Sequence, residues 1–137
     1  MVKDDIFKVE ISKKDIRERE PLALGVVFIE MGLVEFAKEE LEKAKRSLRD
    51  PVKAREFLGL LYLETGDANS AVEEFEEAIK ILNDFSPTSA RLYYDLATAY
   101  EKMEMPDRAL ALYETAYLMD IYYKDVEKKV HQLRQQR

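Results

Sequence analysis

The sequence predicts an all-α protein in which helical hairpins stack on one another. The first observation is a stripe at helical spacing, Leu58-Gly59 and then Tyr62, after which Gly66 interrupts the pattern. The second observation is another helical stripe directly after that glycine, formed by Ala71, Phe75 and Ala78. The third is that this arrangement occurs three times. Each copy therefore predicts a helix, a tight turn and a second helix.

The other two copies flank this stretch. One lies 34 residues earlier and comprises Leu24, Gly25, Phe28, Gly32, Ala37, Leu41 and Ala44. The other lies 38 residues later and comprises Leu96, Ala97, Tyr100, Ala109, Tyr113 and Ala116. A single hairpin cannot bury the apolar stripes of both its helices, so it must stack on a neighbour with the same pattern. We therefore expect a right-handed α-α superhelix (solenoid) of three hairpins with a C-terminal solvating helix.

The region 1–19 is predicted to be an N-terminal arm with a short helical extension. Residues 6–11 alternate between apolar and polar side chains, which is typical of an extended segment. The first repeat, residues 20–51, begins near Glu20 because the first turn of a helix tolerates Pro21. Its first helix ends at Gly32, and its second helix is expected from about Val34 to Leu48.

The second repeat, residues 52–88, pairs a helix over about 52–65 with one over about 68–83, and Asp67 is the predicted N-cap of the latter. The third repeat, residues 89–120, pairs about 89–103 with about 106–119, and Pro106 is expected to replace the glycine of the turn. Residues 121–137 form the predicted C-terminal capping helix, whose apolar stripe comprises Tyr122, Val126, Val130 and Leu133.

The residues of the second copy resemble the signature of the tetratricopeptide repeat (TPR) family, and the resemblance extends over about 20–120. One family position, which usually holds a tryptophan-type side chain, differs here and holds Pro21, Arg55 and Tyr93. The resemblance implies a concave groove, lined by the first helix of each pair, that holds a peptide or helix of a partner protein.

The groove positions of the family map onto both apolar and charged residues of this chain. They are Leu22, Val26, Ile29 and Glu30, then Glu56, Leu60, Leu63 and Glu64, then Arg91, Tyr94, Thr98, Glu101 and Lys102. Chaperone-binding members hold a terminal carboxylate with lysines and asparagines, but Leu22, Val26 and Leu60 occupy those places here. The apolar side chains at these groove positions would either bind a partner or pack against neighbouring helices or the N-terminal arm.

Composition argues against several functions. The 137 residues carry a net charge of -6, which opposes binding to a nucleic-acid backbone. The sequence contains no cysteine, a single histidine (His131) and no apolar run long enough to insert into a membrane. All four glycines belong to the repeat pattern, so no phosphate loop can be assembled. We therefore predict no catalytic residue, no metal site and no cofactor.

Two further residue types have simple structural interpretations. The acidic pairs at positions 39–40, 73–74 and 76–77 are expected on solvated helix faces rather than in an acid–base site. Most tyrosines are expected in the core, with Tyr94 as the main candidate for exposure.

These observations predict a cytoplasmic, non-catalytic scaffold that binds an apolar or amphipathic peptide or helix of a partner protein in its groove. The alternative is a self-association module, either a homodimer or a chain whose own arm fills the groove. In either case the chain is compatible with being one domain of a larger protein.

Overall fold

A computed structural model describes residues 21–47 and 49–136, and every regular element in these two ranges is an α-helix. The predicted arm, its helical extension and the expected helix start at Glu20 lie outside the described residues. The helices are α1 (Pro21–Glu30), α2 (Val34–Ala44), α3 (Pro51–Glu64), α4 (Ala68–Leu82), α5 (Pro87–Lys102), α6 (Pro106–Met119) and α7 (Val126–Gln135). None of the described helices is long and apolar enough to cross a membrane.

The chain divides into two compact units, Met1–Ala54 and Arg55–Arg137. In the first unit α1 packs against α2. Gly25 lies at their crossing, where an added Cβ would come within 2.8 Å of the Leu41 side chain. Helix α2 ends at Ala44 rather than at the expected Leu48, and residues 45–47 form turns. After Ala44 the amides of Arg46 and Ser47 donate to the carbonyls three residues before them, a tighter pattern than that of the α-helix.

In the second unit α4 packs against α5, α5 against α6, and α6 against α7. Its largest fully buried side chains include Leu58, Phe75, Leu92, Leu110, Tyr113 and Val126. At the crossing of α3 and α4, a Cβ on Gly59 would come within 2.4 Å of the Phe75 ring. The third copy has Ala97 at the position of Gly59, and Ala97 is fully buried.

The three hairpin turns have the same hydrogen-bonding pattern. The amide of Leu33 donates to the carbonyl of Phe28 at 2.9 Å, that of Asp67 to Tyr62 at 2.8 Å, and that of Met105 to Tyr100 at 3.0 Å. These bonds close a Schellman motif, which requires a left-handed residue one position earlier.

That left-handed position is held by glycine in two of the turns and by glutamate in the third. Gly32 has φ +74 and Gly66 has φ +87, whereas Glu104 has φ +59. Pro106 is the first residue of α6, as predicted, and the left-handed conformation that glycine adopts in the other two turns falls on Glu104.

Side-chain caps set two helix starts. Asp67 accepts a hydrogen bond from the amide of Ser70, as predicted for an N-cap. Ser86 accepts one from the amide of Ser89, so α5 starts at Pro87, two residues before its predicted start. Helix α4 ends at Leu82, and the left-handed Asn83 follows it.

The C-terminal helix keeps three of the four residues predicted for its apolar stripe. Val126, Val130 and Leu133 are buried. Tyr122 was wrongly included, since it precedes the helix and is 86% exposed. The turn at residues 121–125 separates Tyr122 from the stripe, so helical spacing does not apply to it.

We predict that Glu104→Gly stabilises the protein by about 0.5–1 kcal/mol. The left-handed conformation costs a residue with a Cβ about 1–2 kcal/mol, which glycine avoids. Glycine loses more backbone entropy on folding, and this offsets about 0.5–1 kcal/mol of the gain. The control is Glu76→Gly, the same substitution at an exposed position inside α4, which should destabilise by about 1 kcal/mol. Urea unfolding measures both. A Glu104→Gly chain destabilised as much as the control would contradict the assignment of backbone strain.

Candidate protein-binding surface

The predicted groove residues of the first unit lie on α1 beside its buried stripe. Leu24, Gly25 and Phe28 are buried against α2. The sequence-predicted residues Leu22, Val26 and Ile29 are half-buried, and Glu30 is exposed. The three apolar side chains of this set therefore retain part of their surface.

In the second unit two apolar groove residues follow the buried Leu58 and Gly59 on α3. Leu60 is 40% exposed, which places it among the exposed large apolar side chains of the described residues, although Phe85 and Leu118 are exposed by 85% and 82%. Leu63 is half-buried, and the neighbouring Glu64 is exposed, as is Lys102 on α5. Leu60 and Leu63 are three positions apart, so both project from one side of the helix.

Two charged groove residues bind each other and connect α3 to α5. The guanidinium of Arg91 donates from Nε to Oε2 of Glu56 at 2.5 Å and from Nη2 to Oε1 at 3.2 Å. Glu56 is only 5% exposed. The hydrogen bonds to Glu56 raise the pKa of Arg91, because they stabilise its charged form. A bidentate pair of this kind fixes the relative position of the two helices.

Tyr94 was expected to be exposed, and this expectation was wrong. It is half-buried, with its ring centre 5.2 Å from that of Tyr113 and 5.2 Å from that of Tyr123, both in edge-to-face geometry. Its hydroxyl donates to the carboxylate of Asp125. Burial, followed by this hydrogen bond, raises the pKa of Tyr94. The turn before α7 covers Tyr94, and the repeat pattern does not extend to that turn.

The remaining predicted groove residues of α5 belong to a hydrogen-bonded cluster. Tyr113 donates to Oε1 of Glu101 at 2.6 Å, and its hydroxyl lies 3.0 Å from Oγ1 of Thr98. Lys129 on α7 donates to the same Glu101 oxygen at 3.1 Å. Thr98 and Glu101 are therefore half-buried and bonded within the unit.

A second ion pair corrects the interpretation of the acidic pairs. Glu74 is 5% exposed and accepts a hydrogen bond from Arg55 at 2.9 Å, so it does not lie on a solvated face. Arg55 holds the position at which the family usually has a tryptophan-type residue. Its charge requires a buried partner, which the facing Glu74 supplies.

The sequence analysis missed Asp95, which is only 6% exposed on α5. Among residues 21–47 and 49–136, none donates a hydrogen bond to its carboxyl group. Burial raises the pKa of Asp95 to about 6, against the opposing effect of the nearby Lys124. The only sequence signal is that Asp95 directly precedes the buried pair Leu96-Ala97 on the same helix.

The described side chains show no metal-binding group. Within 21–47 and 49–136, no set of three or more His, Asp or Glu residues is placed to hold a metal ion. His131 is exposed, and its Nε2 lies 4.0 Å from a carboxylate oxygen of Glu127, one helical turn away.

Repeated helical hairpins with matching turns define an α-helical repeat protein. The sequence model of the tetratricopeptide repeat family matches residues 52–120, half of the chain. The chain belongs to the tetratricopeptide repeat family, as its signature residues predict. This family typically consists of non-catalytic scaffolds, and its fold supports a role in protein interaction in general.

Solved structures confirm the predicted all-α repeat fold. A MamA crystal structure matches 93% of this chain and 75% of its own, with 22% identity and a TM-score of 0.79. MamA of AMB-1 matches at 22% identity with a TM-score of 0.72, and the match spans 85% of this chain and 61% of the MamA chain. Cut9, from the APC/C hetero-tetramer Cut9-Hcn1, matches at 19% identity, with a TM-score of 0.71 over 85% of this chain and 23% of Cut9. A comparison with curated protein sequences finds no match.

We predict that Asp95 makes stability fall as the pH rises. In the unfolded chain the carboxyl ionises near 3.8, whereas in the folded chain the pKa of Asp95 is about 6. Between these values the folded state holds the extra proton, so raising the pH favours unfolding, by about 3 kcal/mol for two pH units. Asp95→Asn removes this pH dependence. The change that it causes in the free energy of unfolding should therefore be more stabilising at pH 7.5 than at pH 4.

Urea unfolding at pH 4 and pH 7.5 checks this prediction. Asp50→Asn, which removes an exposed carboxyl group, controls for the change in net charge. An Asp95→Asn effect that is the same at both pH values would show that burial does not disfavour the charged carboxylate.

Proposed function

We propose that this protein is a non-catalytic scaffold, and that the α3 and α5 surface of its second unit binds an apolar or amphipathic segment of a partner protein. The observation that carries the proposal is the exposure of Leu60 beside Leu63. The core does not use this side chain, since the adjacent Leu58, Gly59 and Leu61 supply the buried face of α3. The location of the protein in the cytoplasm remains a prediction.

The arrangement around Leu60 supports a bound segment of mixed character. Apolar side chains of a partner would cover Leu60 and Leu63, while the exposed Glu64 and Lys102 offer charges at the edge of the surface. An amphipathic helix or an extended peptide meets both requirements. Because the Glu56–Arg91 pair holds α3 against α5, the surface requires little rearrangement to bind.

Similarity in fold also favours a protein partner. Cut9 is found in a hetero-tetramer with Hcn1, and this chain matches Cut9 over a part of its length. For the first unit, the role of Leu22, Val26 and Ile29 stays a prediction. Self-association through the N-terminal arm also stays a prediction, because the arm lies outside the described residues.

We predict that Leu60→Glu combined with Leu63→Glu weakens peptide binding about 10- to 100-fold. Full burial of a leucine contributes about 1.5–3 kcal/mol. Leu60 and Leu63 are already partly buried in the free chain, so a ligand gains about 1.4–2.8 kcal/mol from the two together, and a factor of ten corresponds to about 1.4 kcal/mol. The probe is a set of peptides of 12 to 16 residues (about three to four helical turns) selected from a random display library on the wild-type chain. Calorimetry then measures their affinity for each variant.

The matched control is Leu118→Glu, because Leu118 is 82% exposed on α6 and the substitution is the same. Circular dichroism checks that helicity is retained, and Leu60→Glu alone is used if the double variant unfolds. Selected peptides that bind the Leu60 variants as tightly as the wild type would overturn the proposed surface.

A further inference from the structure

Two hairpins of the second unit end in the same kind of exposed apolar pair. In α4 the last residue but one is Ile81, and the third residue after the helix is Phe85. In α6 the same two places hold Leu118 and Tyr122. Phe85 and Tyr122 are 85% and 86% exposed, Leu118 is 82% exposed, and Ile81 is 46% exposed. We call these four side chains the apolar edge.

The repeat itself does not require apolar side chains at these places. In the first hairpin the last residue of α2 but one is Lys43, and the third residue after the helix is Ser47. That hairpin has the same turn hydrogen bond and the same close crossing at a glycine as the second hairpin. Exposed apolar side chains that lie together are typical of a surface that binds another protein. The apolar edge is therefore suited to contact with a second surface.

An aspartate side chain orders the link that carries each aromatic residue. Oδ1 of Asp84 accepts a hydrogen bond from the amide of Ser86 at 3.0 Å. Oδ1 of Asp120 accepts one from the amide of Tyr122, also at 3.0 Å. Both are Asx turns, in which an aspartate binds the backbone two residues later. The backbone around Phe85 and Tyr122 is therefore ordered before a partner arrives, which reduces the entropy lost on binding.

The area of the apolar edge matches what one side of a protein dimer needs. An aromatic side chain buries about 150–250 Å², so Phe85 and Tyr122 together offer about 260–430 Å² at their observed exposure. Leu118 and Ile81 add about 80–150 Å² of apolar surface. A standard interface takes about 800 Å² from each partner, and about 56–65% of such an area is apolar. The apolar edge therefore supplies most or all of the apolar area that one partner contributes.

The repetition of the pair favours a second copy of this chain as the partner. Since α4 packs against α5 and α5 against α6, the two pairs lie at equivalent places of stacked hairpins. A dimer with two-fold symmetry brings one surface onto the same surface of the other copy. Whichever of its two hairpins the second copy places against α4, an exposed apolar and aromatic pair meets Ile81 and Phe85. The apolar edge is thus complementary to itself.

We propose that the apolar edges of two chains pack against each other and form a symmetric homodimer. The core of this interface contains Phe85 and Tyr122 from both copies. Large aromatic side chains of this kind contribute most of the binding energy at protein interfaces. The dimer does not rest on the proposed peptide surface, since Leu60 and Leu63 are not part of the apolar edge.

Sedimentation equilibrium of the full chain tests the dimer. We expect the measured mass to rise from the 16.0 kDa of one chain towards twice that value with increasing protein concentration. The dissociation constant should be on the order of 10 µM, at the weak end of the range for interfaces of standard size. A chain that keeps the mass of a monomer up to about 200 µM, twenty times that constant, would overturn the proposal.

Substitutions in the two links assign the dimer to the apolar edge. Phe85→Ser should raise the dissociation constant about tenfold, and Phe85→Ser combined with Tyr122→Ser about 100-fold. The matched control is Phe36→Ser, because Phe36 is a phenylalanine of α2 that is 55% exposed and lies outside the apolar edge. Circular dichroism checks the fold, and Leu118→Glu is a further variant that should weaken the dimer. A dimer as strong in the double variant as in the control would contradict this assignment.

Peptide binding and dimer formation are measured separately, so each can fail alone. Leu118→Glu should weaken the dimer and leave the affinity for selected peptides unchanged. Leu60→Glu combined with Leu63→Glu should weaken peptide binding and leave the dimer unchanged. A dimer that is lost in the Leu60 variants and kept in Leu118→Glu would place self-association on α3 and overturn the apolar edge.

Discussion

The close approach of Phe75 to the backbone of Gly59 decides how the side chains of α3 are used. The ring occupies the space that a Cβ would fill, so it packs directly against the backbone of α3 at that point. This crossing turns Leu58 and Leu61 into the core and leaves Leu60 outside it. The exposure of Leu60 is therefore a consequence of how one hairpin packs.

The charged residues of the second unit add a second constraint. Glu56, Glu74 and Asp95 are all nearly buried, and burying a carboxylate is costly unless a partner compensates its charge. Glu56 and Glu74 each have an arginine within hydrogen-bonding distance. No described residue donates a hydrogen bond to Asp95, and burial raises its pKa, with Lys124 and Arg91 acting in the opposite direction. Replacing a buried ion pair by well-packed apolar residues is often neutral or stabilising, whereas removing one partner is strongly destabilising.

The hairpins of the fold could be predicted from the sequence because their signals are local. From the helical spacing of apolar residues and the positions of glycine and proline, α3 to α6 were predicted to within about two residues, which is the usual uncertainty of helix ends, whereas α7 begins at Val126 rather than directly after Asp120. The end of α2 and the left-handed Glu104 were missed. The sequence carries no signal for either feature. No proline or glycine directly follows Ala44 to mark a helix end, and glutamate does not indicate a positive φ.

The candidate site was less predictable, because it depends on contacts between residues far apart in the sequence. The family positions identified Glu56 and Arg91 one by one, but their mutual binding across 35 residues is visible only in the structure. Tyr94 was expected on the surface because the turn that covers it lies outside the repeat pattern. Asp95 was not singled out, since an aspartate in a charge-rich helix gives no indication of burial.

The most direct test of the account is a methyl NMR map of a peptide selected on the wild-type chain. If α3 and α5 form the binding surface, the largest shift changes will fall on the methyl groups of Leu60 and Leu63. The buried methyl groups of Leu92 and Leu110 should change little. If the largest changes instead fall on Leu118 and Ile121, which are 82% and 47% exposed, the binding surface lies elsewhere and the account is wrong.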